Sequence, residues 1–467
     1  MWSASSLLHR RTETTYREVI RICLPLVLSL SATTVMEFTD RVFLANHSLA
    51  AIAAAVPAGI TSYLLLAFFG GVGGYAGVFI AQYTGRGEHH KIGAILWQGI
   101  HFTLVSGILL YLFALVATTP IFKIAGHSPE IRMQEEIYFS LLCKGSILHI
   151  AMVTLSTFFT GRGLTRPVMI ITIIGVVMNI PLDYALIFGK WGFPELGIRG
   201  AAIATIMAWS INVICLAVLI FTPQHNSTYK VFHSWKPRID IFIRLMRFGI
   251  PGALQFTMDI LAFTLFLLLV GRIGDEALAA TNVVLSINAL AFMPSMGVSQ
   301  GVSVLVGQAL GNEKPQLAST HVRCASYLLI VYILMIDLLF IFVPDLILAP
   351  FLHSATGAQA AEVRLISLSL LKIISAYLFF DALYMVFSGA LRGAGDTRFM
   401  MIAITLTAPL TLILPVYFGI EFFNISIVSA WLWVLLFVFS LFMLSGLRYR
   451  RGLWRNMLVI GRRNTPL

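Results

Sequence analysis

Six acidic residues stand inside long apolar segments: Glu37, Asp40, Asp183, Asp259, Asp337 and Asp381. An ionisable group in such surroundings is costly, and its default reading is a functional one. Glu37 and Arg41 are spaced i,i+4 with the acid first, the favourable order for mutual neutralisation on a helix. Asp40 then has no partner on its own helix. Asn179 lies one turn before Asp183, and Pro181 between them removes a backbone donor. Asp40 and Asp183 would make a carboxyl pair able to hold a proton, because two adjacent carboxylates resist ionising together. A hydrogen-bonded structural cluster is the alternative. Later in the chain, Tyr377 is one turn from Asp381 and Gln255 one turn from Asp259. Two carboxylates with neutral oxygen ligands suit Na⁺, a hard cation, so Asp259 and Asp381 are candidate metal ligands. They suit a proton or an organic cation equally well. Lys144 and Lys372 each stand fifteen residues before a phenylalanine, Phe159 and Phe387. With Glu37 and Gln255 they are candidates for a substrate cavity, as counter-charges to embedded acids or as sites for an anionic group. Snorkelling or a structural ion pair is the bland account of the lysines. Asp337 lies nearer a segment end and reads as solvated.

The segments that carry these residues define the solvent. Of 467 residues, 58% are hydrophobic and 11% charged, against about 25% charged in a soluble domain. Helices are the expected spanning element, because a bilayer leaves backbone groups to be satisfied within the segment. Alternating ten-residue stretches of the barrel type are absent. The first apolar stretch, from Val19, is too long for a signal core and has no small-residue cleavage site after it. Twelve spans are expected, near 19–44, 50–80, 92–116, 133–159, 165–189, 199–221, 241–270, 277–308, 319–343, 363–390, 397–419 and 424–447. Each meets or exceeds the ~20 residues needed to cross. Both termini then share one side. Most of the 32 Lys and Arg fall on that side, which makes it cytoplasmic. The net charge of +11 is a loop property under this reading and implies no nucleic acid. On that frame Asp40 and Asp183 lie roughly 6 and 9 Å from the outer ends of their spans, at ~1.5 Å per residue. Asp259 and Asp381 lie near mid-membrane, roughly 13–16 Å from the inner face.

Other chemistry is poorly represented. The four cysteines (Cys23, Cys143, Cys215, Cys324) fall in apolar segments without zinc-type spacing and read as core residues. The histidines are scattered, with His89-His90 on a basic loop. No nucleophile or metal cluster points to an enzyme, and no cofactor is expected.

The two halves of the chain repeat. Pro25 opens span 1 and Pro251 opens span 7. Leu49-Ala50-Ala51 matches Leu278-Ala279-Ala280, and Gln82-Tyr83-Thr84-Gly85 matches Gln308-Ala309-Leu310-Gly311. Thr165-Arg166 follows span 4 as Thr397-Arg398 follows span 10. Six spans separate each pair, so orientation is preserved and the repeats are parallel, an architecture that places a site between two bundles. The expected organisation is an N-terminal six-helix bundle over 1–221, a cytoplasmic linker over 222–240, a C-terminal six-helix bundle over 241–447 and a basic cytoplasmic tail over 448–467.

These residues resemble the multidrug and toxic compound extrusion (MATE) family along nearly the whole chain. The most specific piece is Asp381-Ala382-Leu383 followed by Gly389-Ala390-Leu391-Arg392-Gly393-Ala394-Gly395-Asp396-Thr397-Arg398. Asp40-Arg41-Val42-Phe43-Leu44-Ala45 is similar to the family's aspartate-bearing first span. Asn179-Ile180-Pro181-Leu182-Asp183 with Ile187-Phe188-Gly189 adds to this in span 5. Pro251 with Asp259 is a NorM-like feature of the C-terminal half. The resemblance implies an all-α membrane protein whose two parallel-repeat bundles form a V-shaped cavity, located in the cell (inner) membrane. It also implies H⁺- or Na⁺-coupled antiport that exports varied, often cationic and aromatic, compounds. A lipid-linked precursor flippase or organic-anion exporter of the same superfamily is the alternative, with Lys144 and Lys372 on the anion. The expected partners are small-molecule substrates and the bilayer, and the expected state is a monomer. One departure stands out: the turn Gly161-Arg162-Gly163-Leu164-Thr165-Arg166 is shorter than its second-half counterpart, which should affect cytoplasmic closure more than a central site.

Overall fold

The computed structural model of the chain describes residues 2–352 and 358–461; residues 462–467 of the expected tail lie outside these. Helices account for every regular element among the described residues. Eleven are long and apolar enough to cross a membrane. A twelfth span results if the pair α5 (Pro129–Lys144) and α6 (Ser146–Thr160), bent by 43°, counts as one.

In order, the earlier helices are α1 (Trp2–His47), α2 (Leu49–Gly74), α3 (Ala76–Arg86) and α4 (Ile92–Ala125), then α5 and α6, α7 (Thr165–Phe188), α8 (Ile198–Ile220) and the short α9 (Pro223–Tyr229). The later ones are α10 (Ile239–Val270), α11 (Asp275–Gly311), α12 (Pro315–Phe342), α13 (Pro344–Leu352), α14 (Ala358–Ala394), α15 (Thr397–Thr407), α16 (Leu414–Phe423) and α17 (Ile427–Arg450). The bend in the fourth span sits at Gly145, where a Cβ would come within 2.7 Å of Ile206 on α8. The eleventh span is also interrupted. Its residues Ala408–Ile413 form a π-helical turn that contains Pro409, and proline and π-turns are the usual causes of such breaks.

The chain forms two compact units. One holds Leu28–Ala253, Gly311–Glu313 and the tail from Leu458. The other holds the chain up to Val27, Leu254–Leu310 and Lys314–Met457. The opening of α1 therefore packs with later helices, and the opening of α10 packs with earlier ones.

Glycine makes both packings possible. In the second unit, a Cβ on Gly297 of α11 would stand 2.8 Å from the backbone of Val27, and one on Gly301 would meet the Cys23 thiol. In the first unit, a Cβ on Gly71 of α2 would stand 3.1 Å from Cβ of Ala253. Ala253 follows Val27 by 226 residues, and Gly297 follows Gly71 by the same interval. The same helix crossing is thus built twice, once in each repeat, immediately after the repeated Pro25 and Pro251.

The linker is packed onto the first unit. Gly93 of α4 lies against the carbonyls of Tyr229 and Lys230. Trp97 donates to the Val231 carbonyl at 2.6 Å, and Gln98 accepts from the Arg238 N–H at 3.1 Å. The short turn after α6 takes part: the Arg162 guanidinium lies 3.8 Å from the Phe158 ring and 4.6 Å from that of Tyr229. The tail from Leu458 docks on this unit too, with Gln82 accepting from the Val459 N–H at 2.9 Å.

In the second unit, Asp396 of the Gly-Asp-Thr-Arg run receives a forked contact from Arg448 of α17, at 2.6 and 3.2 Å. Both side chains are largely buried. The acid of that motif thus fastens the turn after α14 to the last span.

Three outcomes follow. Gly297→Ala forces the α1–α11 crossing apart and should destabilise the purified protein by about 1–3 kcal/mol, read as a lowered thermal midpoint. Gly59→Ala, whose Cβ meets only a ring atom of Tyr138 at 3.9 Å, should leave the midpoint unchanged or raised. Asp396→Asn leaves a buried guanidinium without its counter-charge and should cost about 3–5 kcal/mol; an unchanged midpoint would show the clamp to be irrelevant to folding.

Candidate functional site

In the first unit, α1, α5 and α7 bring Asp40, Tyr138, Asn179 and Asp183 together. Asn179 and Asp183 are fully buried and Asp40 nearly so. They are neighbours because α7 runs unbroken through Pro181, so the i,i+4 spacing puts both on one face. The Asp40 and Asp183 carboxyl groups stand against each other, with the Asn179 amide beside Asp183 and the Tyr138 ring close to both acids. No Lys, Arg or His forms an ion pair with either acid among the described residues. Two ionised carboxylates offer no donor to one another. The contact becomes a hydrogen bond when one of the pair holds a proton.

Glu37 corrects the sequence reading. It and Arg41 are both exposed on α1 and form no ion pair. A pair of this kind on an exposed helix face is worth only about 0.3–0.5 kcal/mol, too little to hold two long side chains in place. Arg41 stays near enough for its charge to act on Glu37 without closing an ion pair, and Glu37 also lies near Asp40 and the Tyr63 and Tyr138 rings.

In the second unit, α10, α11 and α14 build a different cluster. Asp381 is buried and Asp259 half-buried, close enough for each carboxyl to sense the other's charge. Tyr377 stands near both acids, and the Asn288 amide of α11 reaches its hydroxyl. Gln255 crosses from α10 to α14, donating to the Tyr384 hydroxyl at 3.2 Å and to the Ser388 hydroxyl at 2.7 Å. Asp381 Oδ2 and Asn288 Oδ1 are buried without a hydrogen-bond partner. These free oxygens, a second carboxylate and two phenol groups form a donor set fitting a proton, Na⁺ or an organic cation, all of them cargo rather than resident groups.

Asp337 differs from expectation. It lies half-buried on α12 beside Ser375 of α14, with Oδ1 enclosed, because α12 packs along α14 in a bundle wall. Lys144 is half-buried at the α5–α6 bend and Lys372 is exposed on α14. Neither forms an ion pair among the described residues, so the lysines do not neutralise the embedded acids.

Residues missed in the sequence are Tyr138, Asn288, Tyr384 and Ser388. The last two carried a signal: 377, 381, 384 and 388 trace one helix face as a polar stripe through an apolar segment. Tyr138 and Asn288 sit on helices other than the acids' own, and no local pattern points to them.

The MatE family model matches residues 25–185 and 251–418, once in each half. A probable multidrug resistance protein NorM of Thermotoga maritima is 27% identical over 452 residues, covering 96% of this chain and 94% of the relative. One from Mannheimia succiniciproducens is 30% identical over 397 residues, covering 82% and 81%. Among solved structures, a MOP superfamily transporter from Pyrococcus furiosus superposes with a TM-score of 0.85 at 17% identity, covering 94% of this chain and 97% of that one. The eukaryotic MATE transporter AtDTX14 gives 0.83 at 18%, covering 95% and 97%. With the fold matched along nearly its whole length and the family model matched in both halves, the chain belongs to the MATE family of membrane transporters.

Proposed function

We propose that this protein is a secondary active antiporter of the cell membrane that exports organic compounds, cationic and aromatic ones foremost, in exchange for H⁺ or Na⁺. It acts as a monomer with both termini cytoplasmic. The names of its relatives, multidrug resistance proteins, support export of varied compounds. The observation that carries ion coupling is the Asp40–Asp183 contact, two buried carboxyls that share a hydrogen bond only when one is protonated.

An ion that completes such a site lowers the energy of whichever conformation holds the carboxyls together. It shifts the equilibrium only by its difference in affinity for the two states. Asp259 and Asp381, flanked by Tyr377 and Tyr384, supply negative charge and ring faces, the combination that binds organic cations. Release of a cation from Asp259 and Asp381 on one side and entry of an ion at Asp40 and Asp183 on the other then alternate. Positive-inside counting supports the orientation, which makes the exported side the outer one.

Vesicle flux with imposed gradients tests this. Export of a cationic aromatic dye should accelerate when the outside is made more acidic, or richer in Na⁺, than the inside. A flux indifferent to both gradients removes antiport. Asp40→Asn and Asp381→Asn should each reduce export to background in protein that still unfolds cooperatively on heating; undiminished export in either one sinks the role of that cluster. Transport of anions instead, lost in Lys144→Ala/Lys372→Ala, would replace the reading with an anion exporter or flippase.

A further inference from the structure

The second unit contains a cavity of about 760 Å³ away from either acid cluster. It lies where the start of α12 meets the ends of α14 and α17, and its lining includes Arg323, Arg450, Arg455, Ser319, Phe387 and Tyr449. The opening of α1 closes in nearby, with the Tyr16 hydroxyl against Cys324. The cavity therefore sits at the membrane face where the chain's first and last spans begin and end.

Its wall is built rather than incidental. The Tyr449 ring stacks on Trp454 with centroids 5.0 Å apart and on Phe387 at 5.2 Å. Trp454 donates back to the Tyr449 carbonyl at 2.9 Å, and Tyr449 reaches the Ser319 hydroxyl on α12. These contacts fix the turn Leu453–Asn456, which carries Arg455. None of the three arginines meets a carboxylate among the described residues. Three cations thus line one concavity with no ion-paired acid among the described residues, and the Arg455 guanidinium lies over the Trp454 ring at 5.7 Å. Scattered basic residues that merely obey the positive-inside rule need neither the concavity nor the convergence.

We propose that this cavity binds a phosphate group, presented by an anionic phospholipid headgroup at the membrane surface. The guanidinium fork matches phosphate oxygens two at a time. The volume falls in the range of small-ligand sites, about 300–1,000 Å³. The outer surface of α12 favours lipid as the source. Beyond Arg323, exposed Tyr327, Val331, Leu334 and Leu338 follow at helical spacing, an apolar track on which an acyl chain lies while its headgroup occupies the cavity. Basic pockets between spans at a cytoplasmic surface recognise headgroups in this manner. The assignment does not depend on the transported substrate or the coupling ion.

Native mass spectrometry of the full-length protein, offered equal amounts of phosphatidylglycerol and phosphatidylcholine, measures the preference. Both lipids carry phosphate, but only the first has net charge. Wild type should retain phosphatidylglycerol about tenfold over phosphatidylcholine, a difference of about 1.4 kcal/mol. Arg323→Gln/Arg450→Gln/Arg455→Gln should retain the two equally, while Arg451→Gln, at a neighbouring exposed arginine outside the lining, should keep the preference. Titration with inorganic phosphate separates the sources. Phosphate binding that needs the three arginines but comes without lipid preference would overturn the phospholipid and leave a soluble phosphate ester. Equal lipid retention in wild type and triple variant, with no arginine-dependent phosphate binding, would overturn the site. If the triple variant does not fold, Arg323→Gln alone should lower the preference severalfold, and an unchanged preference there would count equally against the site.

Discussion

Four carboxyl groups are held inside this protein's two units with no ion pair to any of them among the described residues. Asp40 and Asp183 face each other in one unit, Asp259 and Asp381 in the other. An unpaired buried charge is among the most expensive features a fold can carry, and in a bilayer no water comes to its aid. Lysine or arginine at Asn179, Tyr138, Tyr377 or Gln255 would have removed that cost permanently. The sequence places amides and phenols there instead, which orient a carboxyl without neutralising it. A site finished by a built-in cation has nothing left to bind. A site finished only by a proton, Na⁺ or an organic cation turns the energy of the missing charge into affinity for cargo, which is why the proposed antiport needs its acids unpaired.

The crossings of α1 and α10 give that affinity something to act on. Each helix belongs to both units, changing over just after Pro25 or Pro251. Asp40 stands on α1 about 18 Å beyond the changeover, at 1.5 Å per residue, while the start of the same helix is held against Gly297 and Gly301. Asp259 follows the corresponding changeover on α10, whose opening is held against α2 at Gly71 and, through Gly249, at Val72 and Tyr75. Binding at either acid therefore bears on a helix whose other end is packed in the opposite unit. The helices run on past Pro25 and Pro251, and the glycines let backbones approach where any side chain would intervene.

Much of this was legible in the chain. Span number and the parallel repeat follow from hydropathy and from ordered landmarks. The acids declare themselves because a charge in an apolar segment needs no tertiary knowledge to look out of place. Asn179 and Tyr377 followed from i,i+4 spacing, which survives in any unbroken helix. Most of the failures involve a second helix. The partners of Gln255 lie across on α14, Asp337 is enclosed by a neighbour, and Tyr138 and Asn288 enter from helices with no local signal. Glu37 and Arg41 failed in the opposite sense: their spacing allows a pair that nothing around them enforces. The packing of the linker on α4 was likewise invisible, since it rests on backbone approach at Gly93 rather than on side-chain pattern.

The repeat reproduces packing but not chemistry, and the difference is informative. At the interval of 226 residues that relates Val27 to Ala253 and Gly71 to Gly297, Asp40 corresponds to Phe266 and Asp259 to Thr33. Phe266 is fully buried against Trp431, so the place of an acid in one half is core in the other. Glycines at the crossings recur because backbone proximity is required in both halves. The acids do not, so each cluster answers to its own task. Two carboxyls in direct contact suit the smallest cargo, a proton shared between them. A half-open pair of carboxyls flanked by tyrosine rings suits a larger cation with an aromatic face. Division of labour between ion and substrate is thus what unlike clusters on like scaffolds would be expected to achieve, with the crossing helices joining the two.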